Sequence, residues 1–138
     1  MSALSTLLES KDAEQFRPFF EGCAGGSLLL PRCKSCGAVV WYPQPFCECG
    51  AARFEWSEFP TDGIVFSYCV VHRSYVPDLA AELPIVPAIV SLREAGIRLV
   101  SAITDADPFD VAIDRPVTGW FGDPFGHGLD LLYFRLAS

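Results

Sequence analysis

The chain has 138 residues, 51% of them hydrophobic, with a formal net charge of −7. That is apolar material enough for one cored domain, or a small domain with an appendage, and too much for a disordered chain. Neither an uninterrupted apolar run of about 18 residues nor a basic region leading into an apolar stretch occurs, so no membrane span or signal peptide is read and a cytoplasmic location is expected.

Residues 10–22, "SKDAEQFRPFFEG", predict a short helix with Ser10 or Asp12 as its cap. Phe16, Phe19 and Phe20 share one face, Pro18 shortens or kinks the helix, and Gly22, Gly25 and Gly26 break the pattern.

The segment from Leu28 to Phe54 follows, rich in Gly and Pro and weak in periodicity, as suits a lobe folded around an ion and not around a core. It holds Cys33 and Cys36 as CxxC, then Cys47 and Cys49 as CxC, each pair followed by glycine. Disulfides are rare in a reducing cytosol, so cysteines at this spacing read as metal ligands. Four thiolates on two tight turns suit structural zinc, with no open coordination position. Iron in the same cage, as in an electron carrier, fits the ligand type, and so does a degenerate ribbon that folds without metal. CxC demands a tighter turn than CxxC and costs one sulfur an amide hydrogen bond. Between the pairs stand Trp41, Tyr42 and Phe46, with Trp56 and Phe59 following. A small ribbon cannot bury them all, so they pack on the rest of the chain or form a protein interface.

From Pro60 onward, 64–72, 87–92, 97–103, 116–121 and 129–136 are five strand candidates rich in β-branched and aromatic residues. "REAG" at 93–96 reads as a hairpin turn, and "DADPFDVAID" at 105–114 as a helical or turn insertion. Five strands with an insertion after the third fit an OB-type barrel, and a generic β-sandwich fits the periodicity almost as well. Cys69, within the first strand, is expected to be a small buried hydrophobe. This region has five basic side chains (Arg73, Arg93, Arg98, Arg115, Arg135) against ten acidic ones, poor equipment for binding nucleic-acid phosphates.

Catalytic material is thin. The only histidines are His72, beside Arg73 and Ser74, and His127 in a Gly-rich loop, and neither has an identifiable nucleophile or base as companion.

The order "RCKSCG", "CECG", "EWSEFPTDGIVFSYCVVHR", "VSL", "DPFDVAIDRPV" resembles the acyl-CoA-associated family known as domain of unknown function 35, from about Phe16 to the C-terminus. CxC replaces the family's second CxxC, and Asp114 stands where glycine is common. The resemblance implies a mostly β protein: an N-terminal helical segment (1–29), a rubredoxin-like zinc ribbon (30–56) with Cys33, Cys36, Cys47 and Cys49 on structural zinc, and a five-stranded OB-fold barrel (57–138). It further implies a non-catalytic accessory subunit in a hetero-oligomer with a thiolase-superfamily or lipid-transfer-protein-like aldolase of lipid or steroid side-chain catabolism. In some systems such subunits help pass acyl-CoA between enzymes. Arg32, Lys34, Arg53 and Arg73 are the candidates for CoA phosphates, and Trp41, Tyr42 and Phe46 for the interface. The rival readings are a single-stranded nucleic-acid-binding module, a rubredoxin-like electron carrier and an acyl-CoA enzyme in its own right.

Overall fold

A computed structural model describes residues 11–73 and 83–137. Ser10, the side chain of Asp12, and Ser74 lie outside the described residues. A 3-10 turn, Lys11–Phe16, leads into helix α1, Arg17–Gly25. Pro18 does not kink this helix. It occupies the first turn, where a missing N–H breaks no helical bond, so the α-helix starts there. Nor does Gly22 end it: α1 runs on to Gly25 and is capped at Gly26, where Ser27 N–H donates to the Gly22 carbonyl (2.8 Å) and Gly26 N–H to that of Cys23 (3.2 Å). These paired bonds turn the chain into the next strand.

That strand, β1 (Leu28–Cys33), pairs antiparallel with β2 (Phe54–Phe59), Leu28 opposite Phe59 and Cys33 opposite Phe54. Pro31 has no N–H to give, but its carbonyl accepts Val40 N–H at 2.9 Å. The expectation of a lobe without a core holds only for the loops at the far end of this hairpin. At its base, Leu28 and Leu30 recur at the strand period of two, and with Phe59 and Cys23 they join Val65, Val90, Val117 and Phe134 in one contiguous core. Each such side chain removed from water contributes about 1.5–3 kcal/mol.

Five strands follow: β3 (Asp62–Tyr68), β4 (Val86–Leu92), β5 (Ile97–Ile103), β6 (Pro116–Gly122) and β7 (Leu131–Leu136). They close in the order β3-β4-β5-β7-β6, with β6 pairing back onto β3. Every pair is antiparallel except β5 with β7, joined at Ile103 and Phe134. This is the five-stranded OB-type barrel, and the sandwich alternative is set aside. β4 explains the closure: Val86, Ala88, Val90 and Leu92 are buried and their alternating neighbours are not. "REAG" is the β4–β5 turn, with Gly96 N–H donating to the Leu92 carbonyl at 3.1 Å.

The first barrel strand is shorter than the sequence suggests. A bulge between Val65 and Ser67 shifts its register and the strand ends at Tyr68, which leaves Cys69 exposed beyond it and not buried within it. Between β5 and β6, a 3-10 turn (Pro108–Asp110) precedes Asp114, whose φ of 66° is the left-handed conformation that glycine and, less often, Asp supply.

In the β6–β7 connection the Asp123 carboxylate accepts N–H bonds from His127 (2.7 Å) and Gly128 (2.8 Å). Burial alone would raise its pKa, but the amides of Gly128, His127 and Leu129 with the charge of His127 hold it below the usual carboxylate range. Its contribution is therefore complete above the unfolded value of about 3.9 and is lost as pH falls through the lower folded value. Asp123→Asn should lower the urea midpoint at pH 7, with the difference from wild type shrinking toward pH 3; parallel midpoints across that range would refute this role.

Candidate metal centre

Two turns present the four clustered cysteines. In the first, Gly37 N–H donates to the Cys33 carbonyl (2.9 Å) and Cys33 N–H to that of Ala38 (2.8 Å). In the second, Gly50 N–H donates to the Cys47 carbonyl (2.9 Å) and Cys47 N–H to that of Ala51 (2.8 Å). Both glycines have positive φ, 77° and 92°, the conformation that lets each turn close behind its second cysteine. The second turn closes over one residue fewer, as CxC requires. The amides of Cys36 and Ser35 lower the Cys33 thiol, and that of Cys49 lowers the Cys47 thiol.

The turns interleave. Cys33 Sγ lies 3.7 Å from Cys49 Sγ, and Cys36 Sγ 3.6 Å from Cys47 Sγ. All four sulfurs fall within 4.8 Å of one another, two on buried residues and two on exposed ones. Zinc–sulfur bonds of about 2.3 Å imply sulfur–sulfur edges of about 3.8 Å in a tetrahedron, so the donor set fits such an ion.

The electrostatics agree with that fit. The Cys36 amide, aided by that of Ser35, outweighs burial and draws the Cys33 thiol down to about 7. The Cys49 amide lowers Cys47 too, but burial and the neighbouring thiols outweigh it and push Cys47 up to about 12. The Cys33 thiolate forms readily and that of Cys47 does not, because burial and the neighbouring thiols disfavour its charged form. A bound dication reverses this by favouring the deprotonated form of its thiol ligands. With four thiolates and no place left for a substrate, such an ion supplies structure.

The other candidate residues are only partly brought together. Lys34 N–H donates to the Arg53 carbonyl (2.9 Å), which sets these two exposed cations side by side on the ribbon backbone. Arg32 is opposite Glu55, and its guanidinium lies 4.9 Å from the Phe59 ring centroid. Arg73 is exposed on the barrel, after β3. Trp41 packs on Phe16 and Phe19, with ring centroids 5.9 and 4.8 Å away, while Tyr42 and Phe46 remain 49% and 62% exposed. The helix phenylalanines are thus the other half of this aromatic cluster, a partnership signalled only by their shared face. A groove of about 200 Å³ runs from Phe20, Trp41 and Tyr42 to Val100 and Leu131, and another of about 340 Å³ from Phe46 and Gln44 to Ile97. His72 is exposed, and the described hydrogen bond of His127 uses its backbone. Cys23 is buried in the core, where desolvation pushes its thiol up to about 11.

Residues 20–55 match the family model described as ChsH2, rubredoxin-like zinc ribbon domain, and residues 56–122 match that of ChsH2, C-terminal OB-fold domain. Among solved structures the chain is similar to the Ltp2-ChsH2(DUF35) aldolase, with 31% identity and a TM-score of 0.79, covering 91% of this chain and 96% of that one. A DUF35 protein of unknown function from Sulfolobus solfataricus shares the fold, with 15% identity and a TM-score of 0.61 over 99% of this chain and 100% of that one. A Thermomonospora curvata protein described as a probable enoyl-CoA hydratase alpha subunit is 35% identical over 100 residues. That match spans 72% of this chain but 30% of the relative.

A structural ion in such a lobe contributes on the order of 10 kcal/mol to folding. Cys36→Ser should abolish stoichiometric zinc by elemental analysis and lower the melting temperature, whereas Cys69→Ser should change neither. Retained zinc and an unaltered melt in Cys36→Ser would exclude this centre.

Proposed function

The chain belongs to the ChsH2 family of joined zinc-ribbon and OB-fold proteins, and from that membership we propose that it is a non-catalytic accessory subunit of a thiolase-fold acyl-CoA enzyme. The carrying observation is the likeness to the Ltp2-ChsH2(DUF35) aldolase along almost the full length of both chains. The partner on this reading is a lipid-transfer-protein-like aldolase or a thiolase of lipid or steroid side-chain catabolism. The Thermomonospora curvata relative, whose description names an enoyl-CoA hydratase subunit, favours the same acyl-CoA setting.

In this role Cys33, Cys36, Cys47 and Cys49 hold zinc, and the ion keeps the ribbon turns in a fixed place. The chemistry of carbon–carbon cleavage belongs to the partner. The exposed edge of Trp41, with Tyr42 and Phe46, supplies apolar area for contact, since aromatic residues are enriched at interface centres. Lys34 and Arg53, exposed and adjacent, are the cations best situated to meet CoA phosphates, with Arg32 and Arg73 as further candidates.

Co-expression with a lipid-transfer-protein-like aldolase chain from the same organism tests this reading. A complex should co-purify with zinc and cleave acyl-CoA substrate, while the present chain alone should not. Turnover by the isolated chain, or failure of the two to associate, would overturn it. Lys34→Glu with Arg53→Glu should weaken CoA binding to the complex about tenfold or more without loss of zinc; unchanged binding would dismiss the CoA assignment alone.

A further inference from the structure

Six large hydrophobic side chains stay exposed on the described surface. Tyr42, Phe46 and Val100 border the grooves beside the ribbon, but Phe66, Phe109 and Ile113 belong to β3 and the β5–β6 connection. Phe109 is 97% exposed. Leaving a phenylalanine in water forgoes roughly 1.5–3 kcal/mol of burial, and here the ring is held outward by a rigid frame.

The frame is built residue by residue. Pro108 fixes the first backbone angle of the turn, and the Asp107 carboxylate accepts Phe109 N–H at 3.0 Å. Asp110 N–H donates to the Asp107 carbonyl at 2.9 Å, and Arg115 Nη1 to that of Asp110 at 3.1 Å. Val111, 3% exposed, anchors the turn in the barrel core. Asp114 N–H donates to the Val65 carbonyl at 2.8 Å, which fastens the strand-ward end of the connection to β3 one residue before Phe66. A side chain presented this way loses little freedom on binding, and buried aromatic anchors dominate interface energies.

Charge indicates the kind of pocket. Residues 105–114 carry four aspartates and no lysine or arginine. Asp105 pairs with Arg135 at 2.8 Å and Asp107 is engaged in the turn, while Asp110 and Asp114 are exposed beside the apolar tip and make no side-chain hydrogen bond among the described residues. A second copy of this chain is a poor match, because its own net charge is −7 and its cations are few. We infer that the 105–114 connection is a second docking point, separate from the ribbon aromatics, at which Phe109 with Ile113 enters an apolar pocket rimmed by arginine or lysine on the thiolase-fold subunit. This rests on the accessory-subunit reading.

The test measures affinity and association rate between the full chain and the aldolase subunit for wild type, Phe109→Ala, Phe109→Glu, and Asp110→Asn with Asp114→Asn. Phe109→Ala should weaken binding about 30-fold with an unchanged melting temperature, the loss typical of an anchor. The aspartate pair should slow association several-fold and flatten its salt dependence. If the wild-type complex forms and Phe109→Ala binds within about twofold of it, this docking point falls and the accessory reading stands. If the wild-type chain forms no complex, the accessory reading falls and takes this inference with it. A wild-type homodimer that Phe109→Glu dissociates would assign the tip to a second copy and overturn the choice of partner.

Discussion

Closure of the barrel at the parallel contact of Ile103 with Phe134 is the constraint on which the other parts depend. Four of the five strand pairings are antiparallel hairpin-like contacts, but without this fifth the sheet would keep two open edges. Phe134 is fully buried there, and Thr104 N–H donates to its carbonyl at 2.8 Å, so the junction is apolar on its inner side and hydrogen-bonded along its backbone. Closure also fixes where the connections emerge. The helix and the base of the ribbon then cover part of the barrel, with Cys23, Leu28 and Leu30 completing its core.

The metal centre lies at the opposite end of the β1–β2 hairpin from that core, and the division of labour is physical. Leu28 and Leu30 hold the base by burial, while the turns from Cys33 to Gly37 and from Cys47 to Gly50 have short backbone bonds and four clustered sulfurs. An ion replaces the missing core there. The second turn is one residue shorter than the first, yet the four sulfurs still meet at distances suited to a tetrahedral ion. Departure from the usual spacing has been absorbed by the turn and not by the cage.

Apart from Phe66 on β3, whose ring carries the Arg98 guanidinium at 3.7 Å, exposed aromatic material falls into two groups, one beside the ribbon and one on the β5–β6 connection. The first is partly occupied by the chain's own helix, since Trp41 rests on Phe16 and Phe19. The second has no such internal partner among the described residues.

Several features were legible in the sequence because they rest on local rules. The cysteine spacing with its trailing glycines pointed to a metal cage, and β-branched runs separated by turn residues placed all five barrel strands, with "REAG" between two of them. Other features needed the tertiary structure. A sequence cannot say that a bulge after Val65 would shift the register of β3 and that Cys69 would lie exposed beyond its end, because register is set by the opposing strand. It gave no sign that Leu28 and Leu30 would share a core with Phe134, a contact across more than a hundred residues. Nor could it separate Trp41, covered by the helix, from Phe109, held out in water. Both are aromatic residues in irregular segments, and only the packing of distant elements decides which one is partly covered.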